Sequence, residues 1–511
     1  MSTLERSIHL LEWVGDRANP ILVKETRQSL KSRQFVVTFM LLLAASWFLF
    51  TMGLLLGGDA IEYGAIGNTF FGFFYWILAI AVMVIVPFGA YRSLLTEKDQ
   101  ATFDLLSITT LTPRQIVWGK LLSALVQVLI FYSAIAPFIA FTSLLQGFEL
   151  VAVTFRLIAT LLLSMLVSMV AIASSAMTKQ RQWQGLTSLV MLFLLFFAMT
   201  SLLGPIEFVV AQLDLLAAET WWVLGLSLLI GASYFLLFQK VAAAHLTFES
   251  DDRTSGIRLV CSGQFFLLWL GLFALDWLGP SSFAVDQDLV IAATFGSFVH
   301  WTIVGLVAVT ENPYLSRRIR RNLPARTVLR LLLAPFLQGG HRGYLYVLLH
   351  LTALVAVSTW AISQLGGSMS RDLDVPLAIA CYLMIYLGLG CALGRWCLGL
   401  SGDIRPGHIR VLTLMILAIG CLGPLVPMLW RADFRFEYNL WMLPNPYATV
   451  VHLLDNSGGT TAILSILATT AILAALANLR AMKRGVAEVI FADVKLQPSP
   501  NAAVQTLSKS D

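Results

Sequence analysis

Twelve stretches of this chain are apolar over about 20 residues, the length a helix needs to cross a bilayer. They begin with 35–57, 69–91, 114–145, 153–177, 186–204 and 221–239. They continue with 259–279, 289–310, 344–364, 376–399, 410–430 and 460–479. In hydrocarbon a helix satisfies every backbone N–H and C=O within its own segment. The expected fold is therefore all-α, a polytopic bundle of about twelve transmembrane helices. Composition agrees, with 58% hydrophobic and 12% charged residues against about 25% charged in a soluble domain. The least regular span is 259–279, because Asp276 sits near its outer end.

Charge placement tests the count. With the N-terminus inside, all but four of the 34 lysines and arginines fall in cytoplasmic segments. The four are Arg156, Arg371, Arg431 and Arg435. Adding or removing one span in mid-chain would destroy this bias, which is the positive-inside pattern. A multi-pass protein of the cell (inner or plasma) membrane follows, with both termini cytoplasmic. Residues 1–34 hold no apolar signal-peptide core, so the first span is expected to direct insertion. Cys261, Cys381, Cys391, Cys397 and Cys421 lie in or beside apolar spans with no C-x-x-C pair, and they read as small buried hydrophobes.

Two internal echoes bear on a repeat. Leu203-Gly204-Pro205 at the end of span five matches Leu422-Gly423-Pro424 near the end of span eleven, which implies halves of six spans each. Asn19-Pro20, Leu22, Arg27, Leu30 and Arg33 match Asn312-Pro313, Leu315, Arg320, Leu323 and Arg326, which would start a second unit at span nine. The six-plus-six register is preferred. It divides the chain into a cytoplasmic N-terminus (1–34), a first half (35–258), a second half (259–480) and a disordered cytoplasmic tail (481–511).

Before the first span, Asn19 and Pro20 read as a helix cap and its first position. Lys24, Arg27 and Lys31 then share one stripe, opposite Leu22, Val23, Thr26 and Leu30, with Arg33 beyond. A basic amphipathic helix at this place should lie in the membrane interface. An ordinary basic flank has the same charge. Between spans two and three, residues 92–120 form the one long polar interval of the first half. Thr96 and Asp99 have the spacing of a helix start, and Phe103, Leu105, Leu106 and Ile108 give the following run an apolar side. Thr112, Pro113 and Gln115 read as a second start with a capping box. An ordinary membrane-surface helix would also fit this interval.

The pattern E-K-x-x-x-T-F-D-L-L-x-x-T-x-L-T-P-R-Q-I-x-x-G-K, Glu97 to Lys120, resembles the first cytoplasmic loop of ABC type-2 transporter permeases. It departs from that family at Ala101 and Thr110, where Gly and Pro are common. The resemblance covers about residues 19–240 and is topological beyond. It implies the membrane-spanning subunit of an ATP-driven transporter, an exporter, whose ATPase is a separate chain. The segment around 97–111 would be a coupling helix docking on that ATPase through Glu97, Asp99, Thr102, Phe103, Leu105, Leu106, Pro113 and Arg114. Pro20, Lys24, Arg27, Lys31 and Arg33 would form the family's interfacial elbow. The second half lacks the loop pattern, which leaves room for a homodimer. Leu443-Pro444-Asn445-Pro446-Tyr447 resembles the family's outer N-P motif; Trp441 and Tyr447 equally suit interfacial aromatics.

No G-x-x-x-x-G-K-[ST] occurs, so ATP and magnesium are expected on the partner and no cofactor on this chain. The expected partners are the ATPase and the bilayer, with no nucleic acid. Two other readings stand beside this one. A polytopic anchor or assembly protein could keep the scaffold without transport. A membrane glycosyltransferase would need outer carboxylates such as Asp59 and Glu62, Asp286 and Asp288, or Asp372 and Asp374, which read instead as solvated caps. Ion-coupled transport wants deep ionisable groups, and His300 is the one mid-span candidate. Ser164, Ser168, Ala171 and Ser175 on span four, and Ser123, Gln127 and Tyr132 on span three, favour helix packing over a pathway lining.

Overall fold

A computed structural model describes residues 20–57, 64–99, 112–178, 184–211, 214, 216–248, 251–279, 285–312, 315–365, 374–400, 406–426, 438–454 and 460–491. Among these residues all the regular structure is helical, with no strand. Twelve helices are long and apolar enough to cross a membrane, and every expected span corresponds to one of them. The span containing Asp276 is regular helix over Ser255–Leu278. The chain is a multi-pass membrane protein. It divides into two compact units, Met1–Phe248 and Glu249–Asp511.

Unit 1 opens with α1 (Pro20–Leu30), then α2 (Arg33–Gly57). The second span, α3, joins Gly67–Ile80 to Val86–Asp99 through a π-helical turn, Ala81–Ile85. Proline explains the turn. Pro87 has no N–H to give the carbonyl four residues back, and the Val86 N–H reaches to the Ala81 carbonyl instead. Next come α4 (Pro113–Thr142), α5 (Leu150–Met177), α6 (Gln184–Ala211) and α7 (Ala218–Leu246). Unit 2 has α8 (Ser255–Leu278) and α9 (Gln287–Val309). Two short helices follow, α10 (Arg317–Arg321) and α11 (Thr327–Leu333). The remaining helices are α12 (Gly340–Gln364), α13 (Asp374–Leu400), α14 (Pro406–Leu422), α15 (Pro446–Leu454) and α16 (Thr460–Ile490).

Each unit packs its six spans by the same scheme. Its fourth span, α5 or α13, touches the second, third, fifth and sixth. The second span also meets the first, third and fifth, and the third meets the sixth. Small residues make the central position workable. On α5, Ser164, Ser168, Ala171 and Ser175 are all buried, letting backbones approach. Polar contacts join helices at selected points. Tyr75 and Thr160 hydroxyls meet at 2.7 Å, and the Tyr132 hydroxyl donates to the Leu157 carbonyl at 2.8 Å. In unit 2 the Asn478 amide donates to the Gly388 carbonyl at 3.0 Å. Each such bond contributes about 0.6 kcal/mol in a bilayer, so their role is register more than strength.

Three expectations need correction. First, α3 runs unbroken through Thr96 to Asp99, so no helix starts there. Leu94 and Leu95 remain buried, and the Thr96 hydroxyl bonds back to the Arg92 carbonyl at 2.9 Å, as threonine does inside a helix. Second, the last helix does not stop near 480. It continues to Ile490 with Met482, Gly485 and Val489 buried, because Gly485 admits the His341 ring against its backbone. Residues 492–511 lie outside the described residues. Third, the fifth span does not end at Gly204: α6 carries Pro205 internally and ends at Ala211.

Glycine permits a close backbone approach in unit 2. A Cβ on Gly343 would lie 2.1 Å from the Ala308 carbonyl oxygen on α9, whereas one on Gly72 would meet nothing within 4 Å. Gly343→Ala should destabilise the detergent-solubilised protein by about 1–3 kcal/mol, and Gly72→Ala should be neutral or better. Thermal unfolding followed by size-exclusion chromatography measures both.

Candidate functional site

The polar interval between α3 and α4 is closed by a well-made helix start. Thr112 has extended backbone, and its hydroxyl accepts from the Gln115 N–H at 3.3 Å. The Gln115 side chain accepts in turn from the Thr112 N–H at 2.8 Å, completing the capping box with Pro113 in the first helical turn. Arg114 is exposed. Two turns into α4 lies Lys120, a lysine within an apolar span whose side chain is 1% exposed.

Lys120 is held by three groups from two other helices. Its ammonium lies 3.1 Å from a Glu25 oxygen on α1 and 3.0 Å from a Glu97 oxygen on α3. It also donates to the Ser93 hydroxyl at 3.0 Å. The second Glu97 oxygen pairs with Lys24 of α1 at 3.2 Å. Two acids and two bases therefore close a neutral cluster. It ties the helix before the first span, the end of the second span and the start of the third.

On α1, Lys24, Arg27 and Lys31 are exposed, and Pro20 opens the helix. Arg33 belongs to α2 rather than to α1; the intervening Ser32 hydroxyl accepts from the Phe35 N–H at 3.1 Å and starts α2. Glu97 is committed within the chain to Lys24 and Lys120. With 12% of its side chain exposed, it is turned inward because two lysines stand within ion-pair reach. Asp99 is the last helical residue of α3. Thr102, Phe103, Leu105 and Leu106 lie outside the described residues.

Glu25, Ser93 and Lys120 are site residues that sequence reading passed over. The signal was available: Glu25 is the single acid in a basic helix, and a lysine inside an apolar span demands a counter-charge.

Unit 2 has an analogous fastening. Glu311, just after its second span, accepts from Arg258 at 2.7 Å and from the Gly339 N–H at 3.1 Å. Arg258 is buried, donates to the Pro335 and Leu337 carbonyls at 2.6 and 2.8 Å, and lies over the Tyr346 ring. The Tyr346 hydroxyl returns a bond to the Arg258 carbonyl at 2.6 Å. Arg342 is buried between the Gln338 carbonyl at 2.7 Å and the Gly485 carbonyl at 3.2 Å, with Glu488 also in contact. Glu488 pairs with Arg320 as well.

Elsewhere, His300 packs edge-on to Trp301, whose ring stacks on His350 at 4.3 Å. Asp286 caps α9 by accepting from the Leu289 N–H at 2.8 Å. Asn445 is structural: it accepts from the Ala448 N–H at 3.1 Å and donates to the Cys421 carbonyl at 2.7 Å, tying α15 to α14. Trp441 and Tyr447 are exposed. No protein-family model, no curated protein and no solved structure matches the chain.

Removing one member of a buried ion cluster strands the others. Lys120→Met should cost about 3–5 kcal/mol and lower the yield of monodisperse protein. Adding Glu25→Gln and Glu97→Gln to it should recover most of that loss. Lys24→Ala, at the half-exposed edge, should cost no more than about 1 kcal/mol. Thermal melts of the wild type and the three variants in one detergent check the series.

Proposed function

We propose that the chain is the membrane-spanning subunit of an ATP-driven transporter of the ABC type-2 kind, an exporter served by a separate ATPase subunit. The observation that carries this reading is the Glu25–Lys120–Glu97–Lys24 cluster at the root of the 92–120 interval. Both ends of that interval are fastened to one another and to α1. A push on residues 100–111 would therefore reach the elbow, the second span and the third span together. That is the mechanical requirement for coupling an external ATPase to a helical bundle.

In this reading Thr102, Phe103, Leu105 and Leu106 present an apolar side to a groove on the partner, flanked by Asp99, Pro113 and Arg114. Glu97 acts one step behind them, as the anchor of the loop. ATP and magnesium bind the partner. The membrane is the inner or plasma membrane, with both termini on the cytoplasmic side, where the basic segments cluster. In unit 2 the interval after the second span is folded onto its own helices through Arg258, Arg330 and Arg342. This supports one ATPase docking site per chain, which would require a homodimer for a pair of ATPases.

Purification from native membranes in mild detergent, with mass spectrometry of what accompanies the chain, tests the proposal. A stoichiometric ATPase should be recovered with the wild type. It should be lost on combining Phe103→Ala with Leu106→Ala, while membrane insertion is unchanged. Equal ATPase recovery with the variant would defeat the docking model. Absence of any ATPase, under conditions that preserve a known ABC complex, would favour the anchor or assembly reading.

A further inference from the structure

The segment between α9 and α12 is built the wrong way round for water. In α11 the one charged residue, Arg330, is buried. Val328, Leu329, Leu331 and Leu332 are exposed, Val328 at 69% and Leu332 at 63%. Arg330 is held inward by its own bonds, donating from Nε to the Pro324 carbonyl at 2.6 Å and from Nη1 to the Ile490 carbonyl at 3.0 Å. Around it Leu315, Ile319, Ala334, Leu337 and Val489 form a small apolar cluster. The helix is thus pinned to the end of α16 by its arginine and turns its leucines outward. A helix in water shows the opposite pattern.

The approach to α11 is basic. Arg317, Arg318 and Arg321 are exposed on α10, and Arg326 is exposed at the start of α11. Arg318 is partly committed to Asp251. A depression lined by Ser316, Arg317, Arg318, Arg321 and Asn322 opens beside these side chains. The segment is also short of freedom to leave the bilayer surface. It is tethered at Val309 by one span and at Gly340 by the next, and from Leu333 to Gly340 the chain can reach at most about 25 Å.

We propose that α10 and α11 form a site for anionic phospholipid. The exposed leucines of α11 enter the acyl region, and Arg317, Arg321 and Arg326 bind the phosphate-bearing headgroups. Charge complementarity selects this occupant: a neutral lipid surface covers the leucines but gives the guanidinium groups no net counter-charge. Basic residues flanking an outward apolar helix face suit the interface of a negatively charged leaflet. The proposal is independent of whether the chain works with an ATPase.

Two measurements on the full-length protein test it. In native mass spectrometry with added phosphatidylglycerol, the Arg317→Gln/Arg321→Gln/Arg326→Gln variant should bind the lipid about tenfold more weakly or worse, with phosphatidylcholine binding unchanged. Equal phosphatidylglycerol binding would overturn the proposal. Second, Leu332→Cys, in a background with Cys397→Ser and Cys421→Ser, is labelled with bimane. The protein is then placed in nanodiscs of equal parts phosphatidylcholine and phosphatidylglycerol. Brominated acyl chains should quench the label strongly and aqueous iodide should not. Quenching by iodide would mean that water covers the helix and would sink the proposal. So would protection from both quenchers in the presence of a co-purifying protein, since a protein partner would then occupy the face. The arginines substituted are exposed, and the bimane arm leaves all of them in place, so the two arms fail independently.

Discussion

A charge that enters an apolar bundle must bring its counter-charge with it. Among the described residues the most fully buried basic side chains are Lys120 in unit 1 and Arg258 and Arg342 in unit 2, and each is met by carboxylates or backbone carbonyls from other elements. Most of the spans' remaining contacts are apolar, and apolar contact between helices in lipid has little hydrophobic driving force and little directional preference. The ion clusters supply direction. They define which helix ends lie together, and they do so near the basic ends of the spans, where the charged groups can keep one side close to water.

The two units show the same neighbour scheme with different fastenings. In unit 1 a preceding helix, α1, provides the acid that meets the third span. Among the described residues of unit 2 no corresponding acid is seen; the acid after the second span reaches back to the first span and forward to the loop before the third. A short basic helix also stands at a different place in each unit, α1 before the first span of unit 1 and α10 between the second and third spans of unit 2. This accounts for the two echoes in the sequence. The spans repeat in sixes, whereas the Asn-Pro and arginine pattern of the N-terminal helix recurs two spans later than that register would place it.

Much of this was legible in the chain. Span number follows from run length alone, since about 20 apolar residues leave little alternative. The Thr112–Gln115 capping box was legible because its partners are three residues apart. The Glu25–Lys120 and Glu311–Arg258 pairs were not, because the partners are distant in sequence and their meeting depends on the packing of whole helices. Thr96 misled for a local reason: the same hydroxyl that caps a helix can bond back to a carbonyl within one, and the buried leucines beside it decided the matter. The extension of α16 to Ile490 was hidden by its polar composition. Its stability comes from arginines of other elements, which no hydropathy window records.

The π-helical turn in α3 has a geometric consequence. A turn closed from i to i+5 holds one residue more than the α-turn it replaces, which advances the helix phase by about 100°. On one side of the turn the buried face runs through Phe71, Phe74, Tyr75 and Leu78; on the other it runs through Pro87, Ala90, Tyr91 and Leu94. Those two sets do not lie on one line of a regular α-helix. The second span is in effect two helices with a fixed angular offset, and the Glu97 end is indexed separately from the end that packs against Thr160. Removing the extra residue would unscrew one end of the span relative to the other, carrying Glu97 away from Lys120 without altering a single side chain in the cluster.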